Sequence, residues 1–100
     1  MSEPKLVRDR IPEILSGMGL APVTRVASSD EYWLSLRQKL QEELDEFLDS
    51  ESAEELADIL EVIDAVCEHK GITSDALQDL KERKRGERGG FKGRIILESA

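Results

Sequence analysis

Leu36 to Asp64 reads LRQKLQEELDEFLDSESAEELADILEVID, two apolar-periodic stretches parted by the polar break Asp49-Ser50-Glu51-Ser52. So short a connection makes the two stretches antiparallel helical neighbours. At about 100° per residue, Leu36, Leu40, Leu44 and Phe47 form the apolar stripe of the first helix. Leu56, Ile59, Ile63 and Val66 form that of the second. Carboxylates recur along the edges of both. Glu42, Glu43 and Glu46 follow E-E-x-x-E, and Glu55 and Asp58 follow E-x-x-D. Residues three and four apart share a helix face, so Glu43 borders the first stripe with Glu46 a little outside it and Glu42 further round. Glu55 borders the second stripe, with Asp58 just beyond. Packed through their stripes, the helices turn both acidic flanks towards one cleft. Like charges held that close need a proton or a cation between them.

This pattern predicts an all-α fold over 1–100 as one domain: an antiparallel helical bundle with short extended N- and C-terminal segments. One hundred residues bury only a modest core, and with 4% aromatic residues that core is aliphatic, which favours completion by homo-oligomerisation. A net charge of −8 argues against general nucleic-acid binding by counterion release. The lone Cys67 excludes an internal disulfide framework and a Cys-based zinc site, and its place on the apolar stripe makes it a buried thiol. No stretch resembles a signal peptide or a membrane span, so the expectation is a cytoplasmic protein without a membrane partner.

Along the chain, Pro12 opens a short helix after KLVRDR. Gly17, Gly19 and Pro22 break the pattern up to Ser29, with VTRVA as a short extended piece. Ser29 or Asp30 caps the first long helix, which runs to Leu48. Tyr32 and Trp33 near its start are packing residues. Ser52 with Glu55 fits the capping box S-x-x-E, a second use for Glu55 that competes with a ligand role. Gly71 ends the next helix, where His69 offsets the helix dipole. Glu61 and Asp64 lie progressively further from the stripe. Thr73 or Ser74 caps a last helix over 75–85, and Ile95, Ile96 and Leu97 return to the protein as a short strand beside the N-terminal arm.

Four or five carboxylates without His or Cys suit hard cations, Mg²⁺ or Mn²⁺. Magnesium commonly completes its shell with substrate phosphates, and both chain ends carry basic residues to hold them: Lys5, Arg8 and Arg10 at one, Arg88, Lys92 and Arg94 at the other. The parts compose into metal-assisted phosphoanhydride hydrolysis, with Glu43 or Glu46 taking the proton of the attacking water. A solvated acidic helix face is the competing reading of the same spacing.

QKLQEELDEF followed by EELADILEVID resembles the E-E-x-x-E…E-x-x-D signature of the all-α nucleoside triphosphate pyrophosphohydrolases, which include MazG-like proteins and phosphoribosyl-ATP pyrophosphohydrolase. KLVRDRIP and RGGFKGRIIL resemble the ends of a small MazG-like subgroup. The resemblance implies a helical bundle assembled as a homo-oligomer. It also implies Mg²⁺-dependent cleavage of a nucleotide substrate between its α- and β-phosphates, with Glu42, Glu43, Glu46, Glu55 and Asp58 as metal ligands. The spacer from Glu46 to Glu55 is short for the superfamily and would set the site close to the helical turn. Hydrolysis of phosphoribosyl-ATP is an alternative activity. A non-catalytic helical dimer that binds a nucleotide or a protein partner is an alternative of another class.

Overall fold

A computed structural model describes residues 4–100. It holds four helices: α1 (Ile11–Gly17), α2 (Ser29–Ser50), α3 (Ala53–Lys70) and α4 (Ser74–Arg88). No strand occurs among the described residues, so the fold is all-α. Residues 1–3 of the expected 1–100 domain lie outside that description.

Local chemistry accounts for the helix ends. Pro12 lies in the first turn of α1, where its missing N–H costs nothing. Ser28, one residue ahead of the expected cap, accepts from the Glu31 N–H at 3.3 Å to begin α2. Glu31 in turn binds Arg25, with Nη2 2.6 Å from Oε2, and fastens the preceding loop to the helix. Only Glu51 and Ser52 separate α2 from α3, and Glu51 adopts the left-handed conformation (φ 56°) that lets the chain reverse so abruptly. Ser52 caps α3, Gly71 at φ 72° ends it, and Thr73 caps α4.

The extensive helix packing among the described residues is that of α2 on α3. Leu36 and Val62 are its buried apolar centre, at 2% and 8% exposure, and Leu40, Phe47, Ile59, Ile63 and Val66 are half-buried around them. The seam is rotated from the stripes expected of the sequence. Leu44 and Leu56 are 41% and 46% exposed, while Glu43 and Val62 turn inward. The N-terminal arm explains the rotation: Leu6 and Val7 lie along one shoulder of the pair with Leu36, Val62 and Ala65, and the buried seam is centred towards them. Leu44, Leu48, Leu56 and Leu60 are left exposed on the helix pair.

At the end far from the turn, the Trp33 ring stacks on His69 (5.8 Å between centroids, 13° between planes) and Tyr32 meets His69 edge-on at 5.4 Å. Lys70 Nζ lies 3.8 Å from the Trp33 ring, a cation–π contact that joins the N-terminal end of α2 to the C-terminal end of α3. Cys67 is half-buried rather than enclosed.

The C-terminal third departs from expectation. α4 continues to Arg88, and every residue from 71 to 100 is exposed. Ile95, Ile96 and Leu97 form no strand and remain 78–88% exposed; the arm beside which they were expected to pair already packs on α2 and α3 and makes no strand either. The radius of gyration, 17.8 Å, exceeds the roughly 13 Å of a compact 100-residue domain.

With so little buried, the centre of the seam dominates stability. Leu36→Ala should cost about 2–5 kcal/mol, read as a lower urea midpoint at unchanged slope. A loss below about 1 kcal/mol would contradict this account of the core.

Candidate metal centre

Three of the five acidic motif residues converge. Glu43 from the middle of α2 and Glu55 and Asp58 from the first two turns of α3 each offer a carboxylate oxygen, and these oxygens lie within 4.8 Å of one another. Glu55 reaches the group because Ser52 starts α3 immediately after the turn; Asp58 follows one turn later on the same face. The cluster therefore sits on the half of the helix pair nearer the turn, while the cleft beside it runs towards the other end.

Glu43 is only 6% exposed, a rare state for a carboxylate unless it is paired. One pairing is present: Lys39, one turn earlier on α2, places Nζ 3.3 Å from Glu43 Oε1. The other oxygen, Oε2, is buried without a hydrogen-bond partner, as is Oε2 of Glu55. Orphaned buried acceptors are uncommon because each forfeits its solvation. The capping-box alternative for Glu55 is half realised. Its N–H donates to Ser52 Oγ at 3.4 Å, but the Ser52 N–H is taken by Ser50 Oγ at 3.3 Å, which leaves the Glu55 carboxylate to the cluster.

The remaining motif residues stand further out. Glu46 is exposed beside Glu55, and Glu42 pairs with Lys39 at 3.5 Å outside the three-residue group. Burial pushes the Glu55 carboxyl up to about 7, helped by a hydrogen bond to Glu46 and by the charges of Glu46, Asp58 and Glu43. Such crowding favours a proton or a cation at the site.

The donor set fits a hard divalent ion. All its ligand atoms are carboxylate oxygens, with no histidine or thiol in the group. At metal–oxygen distances of about 2.0–2.1 Å for Mg²⁺, neighbouring ligands stand about 2.9 Å apart and opposite ones about 4.2 Å, so oxygens within 4.8 Å of one another reach a common ion by side-chain adjustment.

A cleft of about 480 Å³ runs from the cluster along α2 and α3 towards Tyr32 and Glu68. Arg8, Arg10 and Lys39 line it, as do Glu61 and Asp64 at its exposed edge. Of the basic residues expected to hold phosphate, Arg8 binds Asp58, with Nη2 2.6 Å from Oδ1, and Arg10 binds Glu13 at 2.9 Å. Lys5 is exposed outside the cleft. Arg88, Lys92 and Arg94 are exposed at the end of α4 and in the tail, and do not line it. Phe91 is 97% exposed. Lys39 is the cleft residue that sequence reasoning missed. A lysine four residues before Glu43 and close to the apolar stripe was the available signal.

Over 42 residues the chain is 55% identical to an uncharacterized protein of Mycolicibacterium smegmatis; the match takes in 42% of this chain and 43% of that one. The chain thus spans less than half the length of the relative it matches. No family model matches the chain, and no solved structure matches it. No helix among the described residues is long and apolar enough to cross a membrane.

The raised Glu55 pKa has a stability consequence of definite sign. A carboxyl that holds its proton more tightly when folded supports folding below its unfolded value of about 4.5, and that support is lost as the pH rises through about 7. In chelator-treated buffer, Glu55→Gln should therefore melt higher than wild type at pH 8 and equally at pH 4. A lower melting temperature for the variant at pH 8 would contradict the crowding described.

Proposed function

We propose that this protein is a divalent-metal-dependent nucleoside triphosphate pyrophosphohydrolase that releases a nucleoside monophosphate and pyrophosphate. The observation that carries the reading is the buried, unpartnered Oε2 of Glu43, grouped with Glu55 and Asp58 at one end of a cleft whose lining also includes Arg8, Arg10 and Lys39. The E-E-x-x-E…E-x-x-D spacing and its resemblance to the MazG-like proteins support the reaction class.

Mg²⁺ or Mn²⁺ held by Glu43, Glu55 and Asp58 would supply neutralisation of phosphate charge and a more acidic water. The chain's own groups do the rest. Arg8, Arg10 and Lys39, which stand among the carboxylates of the cleft, would exchange those partners for the triphosphate, with the α-phosphorus towards the cluster. The oxygen of water bonds to that phosphorus as the α–β bridging bond breaks, and pyrophosphate leaves with the electron pair. Glu46, exposed beside Glu55, would take the water's proton; Glu43, buried and paired with Lys39, suits a ligand role better than a proton-transfer one.

The reading includes a homo-oligomer, dimer or tetramer, in the cytoplasm. Exposed Leu44, Leu48, Leu56 and Leu60 on the helix pair support the assembly. These same side chains favour the second reading, a helical module that binds a protein partner without turnover.

Chromatography of products after incubation with Mg²⁺ and a panel of nucleoside triphosphates, together with phosphoribosyl-ATP, tests the proposal. Monophosphate and pyrophosphate should appear, and Asp58→Ala should slow the reaction by about 100-fold, the scale on which disturbed metal coordination acts. Orthophosphate release would mean that another bond is cut. No turnover by a folded protein would favour the partner-binding module.

A further inference from the structure

Arg8 occupies an unexpected place: it is joined to a member of the carboxylate cluster. Its guanidinium lies 2.6 Å from Asp58 Oδ1, and Asp58 offers an oxygen within 4.8 Å of those of Glu43 and Glu55. The arm that carries it is anchored on both sides. Leu6 and Val7 are half-buried in the cleft, and the Arg8 carbonyl accepts from the Ile11 N–H at 3.1 Å as the chain turns into α1. The Arg8 side chain itself is 55% exposed, so the guanidinium can leave Asp58 without unpacking the arm.

We propose that Arg8 is a built-in counter-ion of the cluster, which neutralises Asp58 until a divalent cation binds and is then driven from it. The inference rests on the metal reading of the cluster. A guanidinium and a divalent ion on one carboxylate group repel each other at contact distance even with solvent around them. Whatever holds Arg8 on Asp58 therefore weakens the metal, and the metal weakens the hold on Arg8 to the same degree. Arg8 released this way stays tethered at the cleft with its donors free for an anion. Arg10 is the natural comparison, since it sits on the same arm and lines the same cleft but is paired with Glu13 instead.

Calorimetric titration of the full chain with Mn²⁺ alone tests this. Arg8→Ala should bind Mn²⁺ about tenfold more tightly than wild type, the effect of removing about 1.4 kcal/mol of repulsion, while Arg10→Ala should stay within about twofold. Arg8→Gln, similar in length but uncharged, should repeat the gain if the alanine variant proves unstable. Mn²⁺ affinity unchanged or weakened in both Arg8 variants would overturn the proposal and leave the metal site standing. If wild type and all variants fail to bind Mn²⁺, the metal reading falls and the counter-ion role falls with it.

Discussion

A carboxylate lies where two packed helices would ordinarily place an aliphatic side chain. Glu43 is slightly more buried than Val62, in a seam whose buried apolar residues are Leu36 and Val62. Burial removes most of the hydration that stabilises a charged group, and a single lysine on one oxygen offsets only part of the loss. The pair tolerates this because compensating charge is built around it. Lys39 reaches Glu43 from the preceding turn and Arg8 reaches Asp58 from the arm. The high pKa of Glu55 adds to this, since a shared proton relieves part of the crowding.

That arrangement draws the N-terminal arm into the structure. Leu6 and Val7 supply apolar cover for one shoulder of the α2–α3 pair while Arg8 supplies charge to the cluster, so packing and electrostatics act through three successive residues. The aromatic contacts of Trp33 and Tyr32 with His69 hold the far end of the pair. Between them lies the cleft, with the carboxylate cluster at one end and Arg8, Arg10 and Lys39 interleaved with Asp9, Glu61, Asp64 and Glu68 along the rest. An ordinary solvated acidic face has no such burial and no such cations, which is why Glu43 separates the two readings better than the number of acids does.

Much of this was legible in the residues. Caps depend on one or two side chains, so Ser52, Gly71 and Thr73 could be read directly, and the short turn dictated antiparallel helices. Helical spacing put Glu42, Glu43, Glu46, Glu55 and Asp58 on facing flanks once the helices were paired, but it did not single out Glu43, Glu55 and Asp58 as the three that converge. The rotation of the seam was not legible, because helical angles place Leu44 and Leu56 within the stripes and only the arm's packing decides which shoulder is covered. The partner of Arg8 was equally hidden, since nothing local relates residue 8 to residue 58. Ile95–Leu97 misled for a related reason: an apolar run says that burial is favourable without saying against what, and this chain leaves the run exposed.

The central claim is that the orphaned oxygens at the seam bind a cation. Crystals grown with Mn²⁺ and measured for its anomalous scattering test it most directly. The account predicts one strong peak enclosed by Glu43, Glu55 and Asp58, with Arg8 moved off Asp58. Crystals diffracting well but showing no peak there, or a peak only on the exposed Glu61–Asp64 edge, would contradict it.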